Sequence, residues 1–178
     1  NAILCISAHW YTKGTYVTSG EMQKTIHDFY GFPQELFEVE YPAKGNPELA
    51  KETAELLAPT SVIETDSWGL DHGAWSVIKH LYPAANIPVI QMSIDYTQPA
   101  QYHFDLAKKL QKLREKGILI IGSGNVVHNL RMIDWKNINT VGAGWDWAIE
   151  ARAKTNEWIL DGNFQNLIHF EKQGTALQ

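Results

Sequence analysis

The sequence has one cysteine in 178 residues, which excludes an internal disulfide framework and any zinc site built from several thiolates. Cys5 sits in the apolar run Ala2-Ile3-Leu4-Cys5-Ile6 and reads as a small buried hydrophobe in a reducing compartment. No apolar run approaches the roughly 20 residues of a membrane-spanning helix. No basic start leads into an apolar segment, as a secretory signal would. Positive charge is not in surplus: 15 Lys and Arg against 20 Asp and Glu give a net charge of −5, whereas neutralising a phosphate backbone calls for a clustered basic excess. The densest basic stretch, Lys108 to Lys116, reads as the solvated face and cationic last turn of an amphipathic helix. Also lacking are the phosphate-cradling G-x-x-x-x-G-K-[ST] and G-x-G-x-x-G patterns, the G-x-S-x-G nucleophile elbow and the H-E-x-x-H zinc pair. The expectation is a cytoplasmic protein with neither a nucleic-acid nor a membrane partner.

The chain is long enough to bury a core without staples, and strands alternate along it with helices. Ala2 to Ser7 is a continuous apolar run of strand length, the pattern of a strand covered on both faces. Further strands are predicted at Thr15 to Thr18, around Phe37 to Glu40, at Ser61 to Thr65, at Pro88 to Ile94 and at Ile118 to Ile121. Helices are predicted from about Pro47 to Leu57, with Asn46 as N-cap, from Gly73 to Leu81 and from Pro99 to Lys116, with Gly117 closing the last. Two more are predicted at Trp145 to Leu160 and Asn163 to Phe170. The pattern implies one α/β domain over residues 1–178, with a mostly parallel central sheet and helices on both faces in three layers.

Seven Trp and seven His share the chain, and several sit at the polar, Gly-rich junctions where strands end. Ligands of open α/β sheets bind outside the carboxyl ends of strands, so these junctions are the candidate sites. His9, in Ser7-Ala8-His9-Trp10, follows the opening strand, either as a functional imidazole or as a structural cap. His72 lies between Asp71 and Gly73 at a predicted helix start, where the helix dipole favours a neutral imidazole able to hydrogen-bond a substrate oxygen. Asp71 is the competing N-cap there, and the two readings are compatible. His128 follows the glycine-flanked loop Gly122-Ser123-Gly124-Asn125 and suits either a metal ligand or a general base. His27 lies in the aromatic loop Thr25 to Pro33, which could wall a pocket. His80, His103 and His169 read as surface or core-edge residues.

Four segments in this order resemble the extradiol ring-cleaving dioxygenases of the 4,5-DOPA dioxygenase group, in the superfamily of the protocatechuate 4,5-dioxygenase catalytic subunit. They are Ser7-Ala8-His9-Trp10, Thr25 to Phe29 with Gly31-Phe32-Pro33, Trp68-Gly69-Leu70-Asp71-His72-Gly73, and Ser123 to Leu130. The resemblance implies a catechol and O2 as substrates, with Fe(II) as the catalytic metal and Zn(II) able to occupy the same pocket. It implies His9 as a metal ligand, His128 as a second ligand or the acid/base that deprotonates the catechol, His72 as a catalytic group, and His27 and Asn125 as substrate-binding residues. The family pattern also has a Gly-His-Gly segment before the opening strand and a closing segment with a His or Glu ligand. Neither lies within these residues, and the expectation is of weak metal binding, or none, by a chain limited to these residues. A non-catalytic binding relative and a zinc-dependent hydrolase on the same scaffold are the alternatives.

Overall fold

The structure, a computed structural model, describes residues 1–177. The chain divides into two compact units, residues 1–124 and 125–178. The first contains β1 (Ala2–Thr12), β2 (Thr15–Thr18), α1 (Gln34–Phe37), α2 (Pro47–Leu56), β3 (Val62–Thr65), α3 (His72–Leu81), β4 (Val89–Asp95), α4 (Ala100–Glu115) and β5 (Ile118–Ser123). Its five strands form one sheet in the order β3-β2-β4-β1-β5. β1 is parallel to both β4 and β5, β2 is parallel to β3, and β2 meets β4 antiparallel. The sheet is thus mostly parallel but mixed. The antiparallel pair arises because β2 follows β1 through the short Lys13-Gly14 turn instead of a crossover helix, so the chain reverses before it can re-enter in the same direction.

Residue alternation along β1 feeds two cores. Ala2 and Leu4 point to one face, where Leu49, Ala50 and Leu57 at and after α2 and Leu106, Leu110 and Leu113 of α4 cover them together with Ile90 and Met92 of β4. Ile3 and Cys5 point to the other face, against Ala74, Trp75 and Ile78 of α3 and the loop residues Phe29, Tyr41 and Leu70. A strand apolar on both faces is what a three-layer arrangement demands. Cys5 is fully buried, and burial together with the charge of Asp71 pushes its thiol up to about 12, so it stays an inert packing residue.

Two expectations are corrected here. Phe37 to Glu40 forms no strand: Pro33 opens the short helix α1, its carbonyl accepting Leu36 N–H at 3.1 Å, and Phe37 packs into the core beneath the sheet. The opening strand does not stop at Ser7 but runs to Thr12. Between the Ile6–Met92 and Tyr11–Ile94 pairs β1 advances further than β4, so its register shifts within that stretch. Such a bulge bends a strand and re-aims its side chains, and His9 lies inside it.

The second unit contains a short 3-10 turn at Leu130–Met132, α5 (Asp146–Leu160) and α6 (Phe164–Ile168), with Ala151, Trp158, Ile168 and Ala176 as its buried apolar residues. Among the described residues, no helix is long and apolar enough to cross a membrane.

Leu110 is completely buried between α4 and the sheet. Leu110→Ala is expected to cost about 2–5 kcal/mol through lost transfer energy and an unfilled cavity. Urea denaturation of the first unit's signal measures it.

Candidate metal and substrate site

The polar centre is assembled where the apolar pattern of the sheet gives out. On the α3 face of β1 the sequence Ile3, Cys5 is followed by Ser7, and on β4 Val89 is followed by Gln91. All five are buried. Between them lies Asp71, fully buried. Its Oδ1 accepts Ser7 Oγ–H at 2.7 Å and Ala74 N–H at 3.0 Å. Its Oδ2 accepts from the Gln91 amide, while Gln91 Oε1 accepts Asp71 N–H at 3.3 Å. A buried carboxylate is tolerable only with such complete pairing. Asp71 is also the N-cap of α3, so the network that holds its side chain fixes where that helix begins.

The helix start is pressed onto the strand. A Cβ at Gly73 would lie 2.6 Å from both Ser7 Oγ and His9 Cδ2, so only glycine permits the approach. Ser123 Oγ–H donates to Gly73 O at 2.5 Å, and Ser7 Oγ accepts His9 N–H at 3.2 Å. The outcome is that His9 of β1 and His72, the first residue of α3, stand with ring centroids 3.9 Å apart and planes at 58°.

A third group completes the cluster. The loop before α1 is laid along the segment leading into α3 by a Thr25–Leu70 bridge, with Leu70 N–H to Lys24 O and Ile26 N–H to Leu70 O, both at 2.8 Å. Trp75 Nε1–H clamps it further by donating to Ile26 O at 2.9 Å. Gly69 is needed for this approach, since a Cβ there would sit 2.2 Å from Lys24 O. Two residues beyond Ile26, Asp28 reaches the start of α3. Its Oδ1 accepts His72 N–H at 2.8 Å and lies 2.8 Å from His72 Nδ1, and its Oδ2 is 3.3 Å from His9 Nδ1. Burial pushes the Asp28 carboxyl up, but the hydrogen bonds from the His72 backbone and ring, with the ring's charge, outweigh it and hold it below the usual carboxylate range.

His9, Asp28 and His72 each offer a ligand atom within 4.8 Å of the others, which makes them a group able to hold a metal ion. Two imidazoles and a carboxylate are the donor types of non-haem iron sites that keep positions open for substrate and O2, and they suit zinc as well. The donors therefore fit a divalent metal. His72 also borders an apolar cavity of ≈ 320 Å³ walled by Phe29, Phe32, Leu36, Val39 and Trp75, with Lys79 and His80 on its lining.

Of the residues singled out in the sequence, His9 and His72 meet at this cluster. His27 lies beside the cavity wall, between Phe29, Phe37 and Trp75, and its Nε2 is 2.9 Å from Val39 O. Asn125 and His128 belong to the second unit, where with Asn129, Trp145 and Trp147 they line a separate cavity of ≈ 380 Å³. Asp28 was not anticipated. The available signal was a carboxylate directly after His27 in an aromatic loop, but no helical or strand spacing connects residue 28 to residues 9 and 72.

A family model described as the catalytic LigB subunit of aromatic ring-opening dioxygenase matches residues 1–174. The chain belongs to that family. The LigB family is metal-dependent. Among its relatives, the 4,5-DOPA dioxygenase extradiol of Escherichia coli (strain K12) is 53% identical over 135 residues, covering 75% of this chain and 50% of that protein. The 4,5-DOPA dioxygenase extradiol of Mirabilis jalapa is 37% identical over 174 residues, covering 96% of this chain and 63% of that one. A crystal structure of an uncharacterized Escherichia coli K12 protein superimposes with a TM-score of 0.74 at 38% identity, over 96% of this chain and 65% of that chain. The chain thus spans about half to two-thirds of the length of these relatives.

Two outcomes test this geometry. Gly73→Ala is expected to destabilise the first unit by about 1–3 kcal/mol, because a β-carbon there overpacks the helix start against β1; thermal melts read the loss. The folded-state value of Asp28 lies below the unfolded one, so its contribution is complete above about pH 3.9 and is lost as pH falls through the lower folded value. Asp28→Asn is therefore expected to flatten the acid limb of stability against pH, and an unaltered limb would contradict the pairing.

Proposed function

We propose that the chain carries the metal- and substrate-facing part of an extradiol dioxygenase, which opens a catecholic ring such as that of DOPA with O2 in the cytoplasm. The observation that carries this reading is the convergence of His9, Asp28 and His72 at the edge of an aromatic-walled cavity, in a chain of the LigB family. His9 is the residue assigned to the metal, with Asp28 and His72 beside it. Fe(II) held there would supply a chelation site for the two catechol oxygens and a path for electrons from the catechol to O2.

The remaining chemistry belongs to the side chains. Phe29 and Trp75 form an apolar wall against which a flat ring packs with water excluded, and water exclusion strengthens every polar contact the ring makes. His72 Nε2 takes up a proton from a catechol hydroxyl, and Asp28, 2.8 Å from Nδ1, stabilises the imidazolium that results. His27 holds the cavity wall in place through Val39 and orients the substrate from there. Asn125 and His128 are assigned to the same reaction on the Ser123 to Leu130 segment alone, Asn125 to substrate contact and His128 to proton transfer or metal binding. Zn(II), if bound by the same donors, would supply no redox chemistry.

The test is anaerobic loading of the protein with Fe(II), then addition of DOPA and O2. The expected result is O2 uptake with a yellow ring-opened product. His9→Ala is expected to lower kcat/KM by more than the ~10–100-fold that follows loss of a residue outside the metal's own ligands. His128→Ala is expected to lower kcat with bound metal retained if His128 moves a proton, and to lose the metal if it is a ligand. Protein with Fe(II) bound that consumes no O2 with any catechol would overturn the reading in favour of a binding relative. Ester or amide hydrolysis supported by Zn(II) would identify a hydrolase.

A further inference from the structure

The Asp28 carboxylate contacts both imidazoles at the centre of the site, and its two oxygens are divided between them. Oδ1 serves His72, at 2.8 Å from both the backbone N and Nδ1; Oδ2 serves His9, at 3.3 Å from Nδ1. We propose that Asp28 is a positioning residue that holds His9 and His72 in one tautomer, Nδ1–H turned to the carboxylate, so that both rings meet metal or substrate through Nε2. What the Nε2 atoms meet rests on the proposed function; the tautomer itself does not.

The chemistry of the donors leads there directly. A carboxylate at neutral pH has acceptor sites only, so an imidazole nitrogen 2.8 Å from it must bring the proton. A neutral imidazole with Nδ1–H has its lone pair on Nε2. The alternative, Asp28 as a direct metal ligand, would have to use Oδ2 and take it from His9, because Oδ1 already accepts N–H bonds from the first residue of α3. Those bonds satisfy a helix N-terminus, where a negative charge is favoured. A carboxylate that receives the far N–H of a ligating histidine is the usual outer partner of a metal site, fixing ring orientation and raising ligand basicity. Here one carboxylate acts on two rings.

The placement is also rigid. Asp28 is carried by a loop held through the Thr25–Leu70 bridge and the Trp75 Nε1–H to Ile26 O bond. Phe29 meets the His72 ring edge-on at 5.2 Å and 80°, which restricts rotation of that ring. An amide cannot replace the carboxylate in this role: its single oxygen accepts from one ring, while its NH2 group faces the other and demands an unprotonated nitrogen there.

The experiment uses the chain with nitrogen-labelled histidine, free of metal, at about pH 8.5, where ordinary imidazoles with values near 6.5 are neutral. Long-range proton–nitrogen correlation spectra show which ring nitrogen carries the proton. The expected result is Nδ1–H for both His9 and His72 in the wild type. In Asp28→Asn, with circular dichroism confirming the fold, at least one of the two switches to Nε2–H. Zn(II) affinity, measured by chelator competition, falls ~10–100-fold in that variant. Nε2–H tautomers in the wild type, or tautomers unaltered in Asp28→Asn, would overturn the proposal. So would a far larger loss of Zn(II) affinity with tautomers unaltered, which would make Asp28 a ligand. If the wild type takes up no Zn(II), the proposed function fails while the metal-free spectra still decide the positioning role.

Discussion

The first turn of α3 rests on the bulged part of β1 at a separation no side chain can share, and the site depends on that contact. Gly73 leaves room for Ser7 Oγ and His9 Cδ2, each 2.6 Å from where its β-carbon would be. The buried Asp71 caps the same turn and is bound in place by Ser7 and Gln91. Helix and strand are therefore fixed by steric fit and by a polar network with no slack, since leaving any member of a buried network unpaired costs its full desolvation. His9 and His72 inherit their relation to each other from this contact and need no direct bond to maintain it.

The same geometry explains why a carboxylate belongs beside the two rings. A helix N-terminus presents N–H groups and a partial positive charge. In α3 the inner N–H of Ala74 is answered by Asp71 and the outer one of His72 by Asp28. Asp28 thus completes the helix and contacts both imidazoles with one group. Stability and site geometry are served by the same bonds, and the low position of the Asp28 carboxyl reflects both. The apolar cavity next to His72 owes part of its wall to the loop that brings Asp28, through Phe29 and Phe32.

Much of the fold was legible in the sequence. Continuous apolar runs marked β1, β4 and β5 because strands covered on both faces have no polar face to alternate with. Asn46-Pro47 and Asp71 marked helix starts through capping chemistry that is local by nature. Phe37 to Glu40, an aromatic next to Val and Glu, has the composition of an edge strand, whereas Pro33 and contact with the core decide for a short helix ending at Phe37. The direction of β2 was not legible either, since pairing with β4 instead of β1 is a choice between distant partners. His9 and His72 stood out by their positions at element junctions, but Asp28 did not, because its role arises only when residues 9, 28 and 72 meet.

By itself the sequence determined the apolar alternation, the caps and the glycines, and hence a three-layer α/β unit with histidines at its strand and helix junctions. These are properties of neighbouring residues, written in short-range periodicity and backbone sterics. Only the tertiary structure decided that β1 continues through a bulge, that the Thr25 to Pro33 loop lies along Gly69-Leu70, and that one carboxylate serves two imidazoles. Each of those outcomes depends on contacts between segments tens of residues apart, whose register is set by packing and by the pairing of buried polar groups rather than by any local preference of the chain.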